Sequence, residues 1–285
     1  MSIQSSIQSR LDQFAPSMRR VAEAILERPQ VVLEKTISEL ASQCETSETT
    51  IVRFCRTLGL TGYVQLRLEL ATEIGRENAQ RGELGDHGAD ILAEDGLAAM
   101  AAKIAFTDTL GIEETLASLD IEHLERVVDA IDTAGRSVTY GVGSSGSSAA
   151  DLQRKLFRIG RVAFTFDDPH DAVTAAALSS PGDVAVAFSH SGATREALAF
   201  LATAGKHGAR TVAVTNSAES ALARAADIVL VTSVRETQFR SGAMASRIAQ
   251  LMIVDCIFVG VAQRRYDQTV DALKSTYAAA QELRS

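Results

Sequence analysis

Through the first 75 residues, apolar positions recur every three or four residues, and the strict alternation of a half-buried strand is missing. This predicts a wholly helical N-terminal domain over 1–76. Residues 77–96 (ENAQRGELGDHGADILAEDG) are polar, hold four glycines and show little periodicity, the composition of a linker. Helical patterning returns over 97–134, where Leu110, Ile112, Leu116, Leu119, Leu124, Val127, Val128 and Ile131 form apolar stripes. From Arg136 the pattern changes to short apolar or β-branched runs at 137–140, 162–166, 184–188, 211–215 and 228–231. Helical segments follow the first four, and a long one starts near Gly242. Such alternation predicts an α/β domain over 97–285, with leading and trailing helices around a five-stranded, doubly wound parallel sheet. In such sheets ligands bind at the carboxyl ends of strands, beside the point where strand order reverses.

Composition changes this picture little. Hydrophobic residues make up 46% and charged residues 22% of the 285, which places the chain with globular proteins. No apolar run reaches membrane-spanning length and the first thirty residues hold no signal-peptide stretch, so the expectation is a cytoplasmic protein with no membrane partner. Cys44, Cys55 and Cys256 are odd in number and lack metal-ligand spacing, and are read as buried reduced thiols. No metal and no cofactor is expected. The net charge of −8 argues against nucleic acid only superficially, because its distribution does not. Residues 1–76 carry nine Lys/Arg and nine Asp/Glu, so the whole acidic excess lies beyond them. A neutral domain binds DNA if its arginines share one face.

The N-terminal pattern supplies such a face. A short amphipathic helix begins at 36–41, Cys44-Glu45-Thr46 makes a turn, and Ser47 is a good N-cap for a helix over 48–58 that ends at Gly59. Two short helices across a tight turn form the helix-turn-helix pattern, with a plain helix bundle as the alternative. At 100° per residue Ile51, Phe54, Cys55 and Leu58 share one arc, while Thr49, Arg53 and Arg56 lie opposite. Ser47, Thr49, Thr50, Arg53 and Arg56 are therefore the candidate DNA-contacting residues; arginine pairs with guanine or holds phosphate, and threonine can bond to either.

Two serine-rich turns carry the remaining chemistry. Gly141-Val142-Gly143-Ser144-Ser145-Gly146-Ser147-Ser148 follows the first strand candidate, and Ser189-His190-Ser191-Gly192-Ala193-Thr194 follows the third. A strand feeding a helix through small hydroxyl residues offers free N–H groups, a positive dipole end and side-chain donors, which suits a phosphate. Helix capping is the competing use, and for Ser147 and Ser148 capping or packing fits as well as ligand contact. Gly141-x-Gly143-x-x-Gly146 also satisfies a dinucleotide-binding pattern, with Asp167 beyond the second strand as the ribose partner. Hydroxyls crowding the turn, and a second turn left without a role, weigh against that reading.

The stretch Ile37-Ser38-Glu39-Leu40-Ala41…Ser47-Glu48-Thr49-Thr50-Ile51-Val52-Arg53-Phe54-Cys55-Arg56…Leu58-Gly59…Gly62-Tyr63 resembles the N-terminal domain of RpiR-type bacterial transcriptional regulators. The second serine turn resembles the Ser-x-Ser-Gly-x-Thr signature of the SIS (sugar isomerase) domain found in that family. Together the resemblances cover nearly the whole chain apart from the linker. They imply a flavodoxin-like sheet, operator DNA and a phosphorylated sugar effector as partners, and a homodimer or homotetramer. Ser189, Ser191 and Thr194 would hold the phosphate, with His190 contributing its backbone, and Ser144 and Ser145 would contact phosphate or sugar hydroxyls. The stretch from Gly242 to Leu251 would close the sugar site and support subunit pairing, with Arg240 and Ser246 reaching the ligand.

SIS domains also occur in aldose–ketose phosphate isomerases, which need a general base beside the sugar C1–C2 bond. Glu196, Glu236, His170 and His190 are the candidates, and none has an identifiable partner in the sequence; His170, at a strand end, and Glu236, in a polar segment that could cover the pocket, are also candidate ligand contacts. With a DNA reader attached, catalysis is unnecessary. The expectation is a non-enzymatic regulator of sugar-metabolism genes.

Overall fold

Short helices packed around Ile51, Phe54 and Leu66 form the first of two compact units in this computed structural model, which describes residues 2–81, 91–234 and 243–282. They are α1 (Ile3–Ser9), α2 (Pro16–Glu27), α3 (Val31–Glu34), α4 (Ile37–Gln43), α5 (Glu48–Thr57) and α6 (Tyr63–Arg81). Local chemistry sets the ends of the central pair. Thr36 and Glu39 form a reciprocal capping box at the start of α4, and the Thr36 hydrogen bonds hold the Glu39 carboxyl below its usual range. Ser47 accepts from the Thr50 N–H at 3.2 Å to cap α5, and Gly59 ends the helical run with φ +79°. The turn between them puts Glu45 at φ 48°, and Arg20 of α2 latches it, donating to the Cys44 and Glu45 carbonyls at 2.9 and 2.6 Å. Phe14 and Phe54 meet at a tilt in the core beneath, with ring centroids 5.2 Å apart. Burial pushes the Cys55 thiol up to about 11 and raises Cys44 as well, so both behave as apolar core groups. Cys256 differs from the expectation of burial: it is only half-buried.

Helix α6 runs through Arg81, five residues into the expected linker, and residues 82–90 of that linker lie outside the described residues. The next helix, α7 (Leu97–Ser118), starts where helical patterning resumes, but the division between the units falls inside it, after Leu110.

The second unit contains the end of α7, α8 (Ile121–Thr133), β1 (Ser137–Gly141), α9 (Ser144–Arg158), β2 (Ala163–Thr165), α10 (Pro169–Ala177), β3 (Val184–Phe188), α11 (Arg195–Lys206), β4 (Arg210–Thr215), α12 (Ala221–Arg224), β5 (Ile228–Val231), α13 (Met244–Arg264) and α14 (Tyr266–Glu282). All five strands are parallel, in the order β2-β1-β3-β4-β5. Side chains alternate across the sheet: Val184, Val186 and Phe188 join the core with α8, α9 and α13, while Ala185 and Ala187 face Tyr140, Phe200 and Leu201 under α10 and α11. Helices on both faces explain why these strands read as continuous apolar runs. Helix α13 is long and apolar enough to cross a membrane, but Ile253, Val254 and Ile257 are fully buried against the sheet, so it is a core helix here.

The order reverses between β1 and β3. The chain steps from β1 outward to β2, then returns to the other side of β1 to lay down β3. Gly141 pairs with Phe188 at the carboxyl ends of these neighbours, so the two loops that leave them open beside each other.

Candidate functional site

Both serine-rich turns occupy this switch point. In the first, Gly143 is the N-cap of α9 with φ +61°, and Gly141 and Gly146 let the helix sit directly on the strand end. A Cβ on Gly141 would lie 2.7 Å from the Ser145 backbone, and one on Gly146 2.8 Å from the Gly141 oxygen. The glycines thus have a packing role that requires no dinucleotide. Ser144 and Ser145 are half-buried in the first turn, and Gln250 of α13 donates to Ser145 Oγ at 3.2 Å. Ser147 is exposed, whereas Ser148 is fully buried and its hydroxyl has no partner among the described residues. Neither caps α9.

In the second turn the hydroxyls divide their labour. Ser189, only 2% exposed, accepts from the Gly192 N–H at 3.1 Å and bonds Thr194 Oγ1 at 2.9 Å, so it shapes the loop from within. Ser191 is exposed, bonding only weakly to the Ala193 N–H at 3.3 Å. Thr194 is half-buried and stands at the N-cap of α11 without capping it. His190 is half-buried, and its carbonyl accepts from Asn216 N and Thr215 Oγ1 of the β4 end.

The two helices that start here share a property. Asp168 and Ser220 cap α10 and α12 with their side chains, but no side-chain bond caps α9 or α11 (nor α13, behind Ala243). Each uncapped start presents N–H groups and about half a positive charge toward the carboxyl edge of the sheet. Two such starts flanking one switch point have the chemistry to receive an anion. Carboxylates sit nearby: burial raises the Tyr140 phenol, and Glu196 and Asp168 push it the same way.

The remaining candidates scatter. Ser246 is buried in the first turn of α13, one turn before Gln250. His170 is exposed at the start of α10, its N–H held by Asp168. Glu236 and Arg240 lie outside the described residues. Gln250 lies in the stretch from Gly242 to Leu251 but is not singled out there, and Thr215 and Asn216, which support the second loop from behind through the His190 carbonyl, escaped the sequence reading. Among the described residues no cluster of His, Cys, Asp or Glu could hold a metal.

In the N-terminal unit, Thr49, Arg53 and Arg56 are exposed on α5, opposite buried Ile51, Phe54 and Cys55. Thr50 is half-buried, with its hydroxyl 3.0 Å from that of Ser47, so this pair completes the cap.

A helix-turn-helix unit joined to a doubly wound α/β unit with an anion cradle defines a ligand-responsive DNA-binding protein. Residues 1–77 match the helix-turn-helix domain of the rpiR family, and residues 130–260 match the SIS domain. An HTH-type transcriptional regulator of Caldanaerobacter subterraneus is 41% identical over 263 residues, covering 92% of this chain and 91% of its own. The NanR protein of Vibrio vulnificus, solved in complex with ManNAc-6P, matches with a TM-score of 0.63 and 29% identity, covering 98% of both chains. The sugar isomerase domain of an RpiR transcription factor from Sphaerobacter thermophilus matches 63% of this chain and 98% of its own, with a TM-score of 0.58 and 26% identity. The chain belongs to the rpiR family of helix-turn-helix transcriptional regulators with a C-terminal SIS domain.

Proposed function

We propose that this protein regulates sugar-metabolism genes in the cytoplasm by binding operator DNA through α5, and that a phosphorylated sugar seated between the two serine loops sets its DNA affinity. The observation that carries the reading is the pair of uncapped helix starts, α9 and α11, on either side of the β1/β3 switch point. The phosphate takes the N–H groups of these turns together with the Ser191 and Thr194 hydroxyls. Ser144 and Ser145 serve the phosphate or the sugar hydroxyls, and Ser189 and the His190 backbone hold the loop in shape. Ser246 and Gln250 line the α13 side. The ManNAc-6P bound by NanR supports a phosphosugar effector and makes that compound the first to test here. No chemical step is required: Glu196 is exposed in the first turn of α11, where it complements the dipole, and the protein acts as a sensor.

On α5, Arg53 and Arg56 meet base edges or phosphates, with Thr49 beside them and Ser47 and Thr50 fixing the helix start. Two copies read a pseudo-palindromic site with half-sites about 34 Å apart or a multiple of that. The pairing surface is the apolar groove between α8 and α13, about 510 Å³ in volume, lined by Leu124, Val128, Met252, Cys256, Val259 and Gly260. A two-headed reader needs a second copy, and this groove lies on the long apolar helix whose outer side its own sheet leaves uncovered.

Calorimetry on the full-length chain tests the site, with ManNAc-6P and aldose and ketose phosphates of five and six carbons. Each hydrogen bond to a charged group contributes about 1.5–3 kcal/mol, so Ser191→Ala with Thr194→Ala weakens binding by at least about a hundredfold. Sugar-free DNA binding stays intact. Unchanged sugar-phosphate affinity in the double variant would overturn the assignment.

A further inference from the structure

The loop after β4 packs against the second serine loop from behind, and one residue in it reaches both ways. Asn216, 4% exposed, donates its backbone N–H to the His190 carbonyl of the second serine loop at 3.0 Å. Its side chain grips the chain leaving β5: Oδ1 accepts from the Val234 N–H at 2.8 Å and from Thr232 Oγ1 at 3.2 Å, and Nδ2 donates to the Val234 carbonyl at 3.1 Å. Val234 in turn packs on α7 at Gly111, where a Cβ would come within 3.3 Å of it. The preceding Ser233 N–H donates to Thr115 Oγ1 at 3.0 Å, one turn further along α7, and Thr115 is fully buried. The last two turns of α7 are thereby fastened to residues 233–234, and those to the serine loop through Asn216. Helix α7 is continuous, and its residues up to Leu110 belong to the DNA-binding unit.

We propose that Asn216 is a positioning residue that couples occupancy of the second serine loop to the seating of α7, and so transmits the sugar-phosphate signal toward the DNA-binding unit. The proposal rests on that loop being the effector site. A phosphate drawing on the 191–194 backbone repositions the adjoining His190 carbonyl, which accepts from the Asn216 N–H and from Thr215 Oγ1. A buried amide bonded on both faces cannot follow that shift without loading its Val234 bonds, because losing a buried partner is costly. Differential strain between empty and filled loops is the coupling free energy.

The test uses the full-length chain, an operator fragment selected by it from random DNA, and the same sugar phosphates. Asn216→Ala, with Thr115→Val as an independent second break, is expected to bind the effector within about threefold of wild type. The ratio of operator affinities with and without effector falls at least about fivefold toward unity. Without any sugar, hydrogen exchange over 111–118 speeds up by about tenfold or more. A retained ratio in both variants, unchanged exchange, or loss of effector binding itself would each overturn the coupling role. A wild-type chain answering none of the sugar phosphates removes the effector reading and the coupling with it; a wild-type chain that responds, beside variants that respond equally, removes the coupling alone.

Discussion

Gly192 shows how closely the second serine loop is fitted to its neighbour. It sits at φ +63°, and a Cβ there would lie 2.1 Å from Ser220 Oγ and 2.8 Å from Thr215 Oγ1. Alanine must therefore adopt an unfavourable backbone and push the β4 loop aside. Gly192→Ala should cost about 1–3 kcal/mol in chemical denaturation and weaken sugar-phosphate binding by at least about tenfold. Wild-type values for both would mean the loop relaxes freely. The serines on either side separate in the same assay. Ser189→Ala removes the hydroxyl that the Gly192 N–H and Thr194 share, leaving that N–H only the Ser189 carbonyl at 3.1 Å, and should lose stability along with binding, by about 1 kcal/mol. Exposed Ser191→Ala should lose binding at unchanged stability.

At the level of elements, α5 turns an arginine-bearing face outward. Its inner residues Ile51, Phe54 and Cys55 anchor it, leaving Arg53 and Arg56 with no structural duty in the core. Arg53→Ala should weaken operator binding by about 1–3 kcal/mol while the melting temperature stays put. Arg20→Ala is the contrasting case: it removes the latch on the Cys44 and Glu45 carbonyls, so fluorescence anisotropy and thermal melting should both register the loss. The outward face of α5 is legible from spacing, because a helix face is a local property, whereas its DNA-reading role rests on the family resemblance. The strands were legible for the same reason, with 184–188 and 228–231 matching β3 and β5 to the residue; β2 is shorter than its apolar run, as the sheet pairs only Ala163–Thr165 there. Other features were out of reach. Arg20 finds its carbonyls 24 and 25 positions away, and Asn216 finds Val234 18 positions away, distances at which sequence periodicity says nothing. Serines beside a helix start read as caps, whereas packing sends Ser148 inward and commits Ser189 to Gly192 and Thr194.

For the whole molecule, the unit boundary inside α7 matters more than the polar stretch expected to separate the domains. Helix α7 has residues in both units, and the proposed coupling enters it at Gly111 and Thr115. Pairing belongs to this scale too. Val259 is 48% exposed at the α8/α13 groove, and Val259→Glu should convert the assembly to monomers in sedimentation, weaken operator binding and leave effector affinity alone. An unchanged sedimentation coefficient would move the interface elsewhere. Everything returns to the anion cradle at the β1/β3 switch point, and calorimetry with matched sugars, each with and without its phosphate, interrogates it most directly. The account predicts that at least one phosphorylated sugar binds, that its dephosphorylated twin binds at least about a hundredfold more weakly, and that inorganic phosphate competes. Equal affinity for the two members of the pair, or binding of a nicotinamide dinucleotide in their place, would contradict it.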